Sequence, residues 1–93
     1  MKLNERQFAV SNRWALAADS LQWILRRQRI HNGQTGWRPV SFVGSTKAVL
    51  ARCMRENEVP EADMARLLEG LPETFRMWCE RHTELVSGDP ATQ

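Results

Sequence analysis

The stretch Leu21–Val43, LQWILRRQRIHNGQTGWRPVSFV, decides the fold. Its second half, Trp37-Arg-Pro-Val-Ser-Phe-Val43, is the clearest strand in the chain: β-branched and aromatic, and bounded by Gly36 and Gly44. One strand cannot satisfy its own backbone donors and acceptors, so it needs a neighbour. The close candidate is Gln22–Ile30, reached across His31-Asn-Gly-Gln-Thr-Gly36, in which Asn32-Gly33 is a strong turn signal. Pro39 has no N–H and belongs where the ladder needs no donor, at an edge or a bulge.

Upstream of this hairpin two readings compete. On helical spacing, Trp14, Ala17, Ala18, Leu21, Ile24, Leu25 and Gln28 share one face, with favourable Ala, Leu and Arg content. On strand spacing, Trp14, Leu16 and Ala18 alternate. After a turn at Asp19-Ser20, Leu21, Trp23 and Leu25 then point one way and Gln22, Ile24 and Arg26 the other. Local propensity favours the helix, but only the strand gives Trp37–Val43 a partner. The segment 14–43 is therefore expected to be a small antiparallel meander. Met1–Gln7 is polar and expected to be loosely attached, followed by a short apolar run at Phe8–Val10.

Downstream, the periodicity turns helical. Ser45 or Thr46 can cap a helix through about Arg55, with Val49, Leu50, Cys53 and Met54 as its apolar stripe. Pro60 suits the first position of a second helix, whose Glu61 and Asp63 favour the positive end of the helix dipole. Met64, Leu67, Leu68 and Leu71 face inward there, and Gly70 marks its end. Pro72 opens a third helix, in which Phe75, Trp78, Cys79 and His82 recur at i, i+3, i+4, i+7. The result is an α+β domain over 1–85: a meander at about 14–43, packed by two to three C-terminal helices at about 46–55, 60–70 and 72–85. Residues 86–93, VSGDPATQ, bury nothing and are expected to be disordered.

Length and composition narrow the functional classes. Ninety-three residues bury one core, and the 42% apolar content is ordinary for a globular chain. No run of about 18 apolar residues is present, so no membrane span is expected. MKLNERQFAV carries no apolar block of signal-peptide length, which points to the cytoplasm. Cys53 and Cys79 fall in no CxxC pair and read as two buried thiols in a reducing compartment. The net charge of +2 conceals a division. Residues 1–52 hold nine Lys/Arg against two acids, while residues 53–93 hold four Arg against nine acids. A basic first half thus faces an acidic second half.

No catalytic motif appears: there is no GxSxG, phosphate loop or HExxH, and the acids Glu56, Glu58, Glu61 and Asp63 fall in a helix connection. Cys79 and His82 lack the close ligand pairing of a zinc site, so no metal and no cofactor is expected. The sharpest feature is Arg26, Arg27 and Arg29, with Arg38 opposite them on the hairpin. Guanidinium groups present a planar fork that suits phosphate or carboxylate, and they stack on aromatic rings. Trp37 and His31 lie beside them in sequence, and of the four tryptophans Trp37 is the expected interface anchor. Such a face fits an acidic protein surface or a single-stranded nucleic acid, or it simply solvates the outside of the sheet.

Trp14–Met54 resembles a loose group of small bacteriophage and prophage proteins. The resemblance is carried by Ala18-Asp-Ser-Leu-Gln-Trp-Ile-Leu25, Trp37-Arg-Pro-Val-Ser-Phe42 and Ser45-Thr-Lys-Ala-Val-Leu50, a little under half of the chain. It implies the strand reading of 14–43 and a mobile-element setting, and it assigns no activity. From setting and charge together, the expectation is a non-enzymatic binding protein. Its partner would be an acidic or nucleic-acid-handling host or competing protein, including those of restriction or CRISPR defence. Direct nucleic-acid binding and a homodimerising structural module are the alternatives.

Overall fold

The computed structural model describes the backbone of residues 5–87 and the side chains through Arg81. Four strands form one antiparallel sheet in sequential order: β1 (Arg6–Ser11), β2 (Trp14–Ala18), β3 (Trp23–His31) and β4 (Gln34–Val43). Three helices follow: α1 (Lys47–Glu56), α2 (Glu61–Leu68) and α3 (Phe75–Ser87). The α+β architecture expected from sequence is the one observed, with one more strand.

The extra strand is β1, part of which lies in the segment expected to be loosely attached. It pairs with β2 from Arg6↔Ala18 to Ser11↔Trp14, with a bulge at Phe8 between Gln7 and Ala9. The bulge breaks the alternation that would have marked the strand, and it leaves Phe8 against Trp78 in a tilted contact, 4.4 Å between ring centroids. Between β2 and β3 the chain turns on Asp19, whose carboxylate accepts from the Leu21 and Gln22 N–H groups at 2.8 and 3.0 Å.

The β3–β4 hairpin is longer and tighter than expected. Its loop is Asn32-Gly33 alone, and both residues adopt positive φ (54° and 76°), as a two-residue turn matched to strand twist requires. Pairing therefore starts at His31↔Gln34 and runs to Trp23↔Val43. Along the way Leu25 lies opposite Ser41 and Arg26 opposite Pro39, so Val40 is an inserted residue. Pro39 thus sits on an edge strand beside a bulge, where its missing N–H costs no ladder bond. β2 reaches along β3 only as far as Arg27. Beyond that point 28–37 is a two-stranded arm, and the described residues extend 45 Å along their longest axis. At the other end Gly44 closes the strand against β2–β3, because a Cβ there would come within 2.6 Å of the Leu21 carbonyl oxygen.

The helices cover one face of the sheet. Trp14, Leu16 and Ala18 of β2, Trp23 and Leu25 of β3 and Val43 of β4 meet Leu50, Met54, Met64, Leu67 and Phe75 in a single core. α1 starts where Thr46 Oγ1 accepts from Val49 N–H. It ends with Glu58 in the left-handed region (φ 64°): Glu58 N–H bonds Arg55 O and Val59 N–H bonds Met54 O, with buried Val59 against buried Met54. Pro60 proves to be the N-cap of α2 rather than its first helical residue. α3 begins at Phe75, three residues later than Pro72. The segment before it is held elsewhere: Lys47 N–H donates to Glu73 O and Phe75 N–H to Ser45 O, which ties the starts of α1 and α3 together. Thr74 then caps α3 through Met77 N–H at 3.1 Å. α3 continues through Val86 and Ser87, which the sequence assigned to a tail. The rest of that tail, 88–93, and the side chain of His82 lie outside the described residues. No helix among the described residues is long and apolar enough to cross a membrane.

Candidate binding face of the hairpin arm

Residues paired directly across an antiparallel ladder share a face, and neighbours along a strand take opposite faces. This rule divides the six residues singled out in the sequence. Arg27 pairs with Arg38, Arg29 with Gly36 and His31 with Gln34, so Arg27, Arg29, Arg38 and His31 lie on one face. It is the helix-covered face, continued past the end of the helices. Gln28 pairs with Trp37 and Arg26 with Pro39 on the other face. The contiguous run Arg26–Arg29 is therefore not one patch.

Arg26 is occupied. Its guanidinium donates to Gln7 Oε1 at 3.1 Å and pairs with the Glu5 carboxylate, reaching from β3 across β2 to β1. Beneath it Ala15 and Ala17 have no exposed surface although no helix covers that side. Their small side chains leave room for the long Arg26 and Gln7 chains to lie flat and seal the sheet.

On the other face, the Arg27 guanidinium lies 5.5 Å from the centroid of the buried Trp14 ring, a cation–π contact at the base of the arm. Arg27 and Arg38 are like charges placed directly opposite one another, with Arg29 one pair further out. No ion pair forms to Arg13, Arg27, Arg29 or Arg38 among the described residues. Gly36 opposite Arg29 removes a side chain from this face. A shallow recess of about 220 Å³ opens there, bounded by Arg29, His31, Gln34, Thr35, Gly36 and Trp37. A larger open recess of about 510 Å³ lies at the base of the arm, bounded by Asn12, Arg13, Trp14, Gln28, Pro60 and Asp63.

Asp63 was read from sequence as a helix-dipole residue, and it does more. Its Oδ1 accepts from Ser11 Oγ at 2.6 Å and from Asn12 Nδ2 at 2.7 Å, and Arg66 lies 3.8 Å away. The Ser11 bond above all, then the Asn12 bond, holds the carboxyl below its ordinary range; desolvation opposes this and Arg66 adds to it. The interaction fixes the β1–β2 turn, and with it Arg13, against α2. No sequence signal marks the pair, because its members stand about fifty positions apart. Cys53 and Cys79, expected from sequence to be buried, are half-buried. Burial pushes the Cys79 thiol up, with Glu80 adding to the effect. No group of three or more His, Cys, Asp or Glu gathers in metal-binding geometry among the described residues.

Compared with known protein families, with curated proteins and with solved structures, the chain matches none of them.

Proposed function

We propose that the protein is a non-enzymatic binding protein that docks the arginine face of its β3–β4 arm on an acidic surface of a partner protein. The observation that carries this reading is the Arg27–Arg38 cross-strand pair with Arg29 beside it. Like charges directly opposite on a ladder destabilise a hairpin, and here no carboxylate of the described residues relieves them. An anionic partner would supply the missing counter-charge. Arg is also the side chain best suited to bidentate recognition of carboxylates at an interface. An acidic protein is favoured over a nucleic acid by the shortness of the arginine stripe, which offers few phosphate contacts. The resemblance of Trp14–Met54 to phage and prophage proteins supports a host or competing protein that handles nucleic acid, including a defence complex whose nucleic-acid channel would be blocked. The cytoplasm is the compartment in which such a partner would be met.

The test is affinity capture from a bacterial host lysate with three proteins: wild type, Arg29→Glu/Arg38→Glu, and Arg26→Ala. The reading expects a partner retained by wild type and Arg26→Ala and lost by the double variant. Retention by the double variant refutes it. Anisotropy titration with duplex and single-stranded DNA separates the alternative. Three phosphate contacts would give a slope of log affinity against log salt of about −2 to −3. Tight binding with that slope would replace the acidic protein by a nucleic acid.

A further inference from the structure

The face of the sheet turned away from the helices is chemically the reverse of the arginine face, and it supports an inference independent of the reading above. Register places Val10 of β1, Ile24 and Ile30 of β3, and Trp37 and Phe42 of β4 on it. Val10, Ile30 and Phe42 are 57%, 71% and 56% exposed. The other exposed large apolar residues, Leu21 and Met77, lie in the β2–β3 loop and on α3. Phe42, Pro39, Trp37 and Ile30 succeed one another along the β4 side of this face, while Ile24 is buried and Val10 stands apart on β1 across Arg26. An apolar run along one side of a sheet is more than the single scattered residues that a soluble surface ordinarily carries.

We infer that this face is the interface of a homodimer, in which two copies pack sheet against sheet. Charge selects the occupant. Among the described residues, pairing and contacts place two ionised groups on the face, Arg26 and Glu5, and these neutralise each other. A nucleic acid or a strongly acidic or basic partner would find no unpaired counter-charge there. A second copy finds an identical, neutral, apolar surface, with the Arg26–Glu5 pair near its middle meeting the same pair. The opposite pairing, arginine face to arginine face, would oppose Arg27, Arg29 and Arg38 to themselves and is excluded by repulsion.

Area sets the strength. Strands rise about 3.3 Å per residue and lie about 4.8 Å apart, so the four-stranded body and two-stranded arm together offer a flat footprint of roughly 500 Å². With side-chain relief added, two such faces bury close to the roughly 1,200 Å² at the lower bound of stable interfaces. An interface at that lower bound is of the weak, reversible class, so the dimer is expected to dissociate on dilution. Aligned sheet packing keeps the two arginine arms on the outside, free for a partner.

Analytical ultracentrifugation of the full chain from micromolar to millimolar concentration tests this. The expected result is a mass that rises from monomer to dimer. It should be monomeric throughout in Phe42→Asp and in Ile30→Glu, and unchanged in the control Met77→Glu, whose exposed side chain is on α3. Circular dichroism confirms that each variant is folded. Ile30 lies on the arm outside the core, so its variant keeps the test decisive if Phe42→Asp does not fold. A wild-type protein monomeric at millimolar concentration overturns the inference, since the face is then covered by another segment or another partner. A dimer that survives Ile30→Glu, or that Met77→Glu dissociates, overturns it equally.

Discussion

Trp23 is the residue at which the physics of this core can be measured most directly. Its side chain is completely buried and meets Phe75 edge-on at 5.4 Å and Trp78 at 6.4 Å. Yet its indole N–H has no hydrogen-bond partner among the described residues. Two substitutions separate packing from polarity. Trp23→Ala removes the ring and leaves a cavity between β3 and α3, which costs about 3–5 kcal/mol. That is a large part of the roughly 5–14 kcal/mol expected for a domain of 93 residues. Trp23→Phe keeps a ring in contact with Phe75 and removes about two buried carbons, at about 0.8 kcal/mol each. It also removes a buried donor whose lack of a partner costs about 1–3 kcal/mol. The two terms nearly cancel, so Trp23→Phe should lie within about 1.5 kcal/mol of wild type. Urea unfolding followed by far-ultraviolet circular dichroism reads the difference. With a slope of roughly 1.5 kcal/mol/M, the midpoint should fall by about 2–3 M for Trp23→Ala and by less than about 1 M for Trp23→Phe. If Trp23→Phe costs more than about 3 kcal/mol, the N–H is not an unpaired liability. It must then find a partner, such as the face of a neighbouring ring.

Three further substitutions report on the two faces and the helix ends. Arg26→Ala removes the chain lying over Ala15 and Ala17 and should lower stability by about 1 kcal/mol or more in urea unfolding; an unchanged midpoint would mean that Arg26 does not seal the sheet. The Asp63 carboxyl has a depressed folded-state pKa, so its contribution is fully present above the unfolded value of about 3.9 and is lost as pH falls through the lower folded value. Acid unfolding should accordingly steepen below about pH 4, and Asp63→Asn should lower stability at neutral pH while flattening that acid limb; an identical acid limb in the variant would exclude Asp63 as its source. Glu58→Gly relieves a side chain held at φ 64° where α1 ends and should raise stability by roughly 0.5–1 kcal/mol in the same assay, less the entropy that glycine adds to the unfolded chain. A loss would indicate that the Glu58 side chain, not its backbone, is what matters there.

The hairpin was legible because it rests on backbone accounting. Trp37–Val43 needs a ladder partner, Asn32-Gly33 supplies the turn, and Pro39 is excluded from a central position. The helical stripes were legible for the same kind of reason, since Leu50, Met54, Met64 and Leu67 follow the 3.6-residue period of their own elements. What the sequence hid is non-local. β1 shows no clean alternation because its bulge at Phe8 is set by β2 and by Trp78. The start of α3 is moved to Phe75 by pairing with residues 45–47, so Pro72 misplaces it. The arginine cluster misleads in another way. Its members adjoin in sequence, and period-two alternation already sends Arg26 and Arg27 to opposite faces. Only the positions of Glu5 and Gln7, some twenty residues upstream, reveal that Arg26 is spoken for.

Parity along β4 is what gives the sheet two different faces. Counting back from Phe42, which lies opposite Ile24, an unbroken strand would place Val40 and Arg38 on the same side as Phe42 and put Trp37 beside Arg27. The extra residue at Val40 reverses the count. Below the bulge Arg38 joins Arg27 and Trp37 joins Gln28, while above it Phe42 and Val43 keep the places the core requires. Val40 itself turns inward and packs against the core, so the insertion costs little. Pro39 stabilises the irregularity, because a residue without an N–H gives up nothing where the ladder is interrupted. One inserted residue thus sorts the arm into an arginine face and an apolar face. It also makes the two binding proposals separable, because each face can be altered without touching the other.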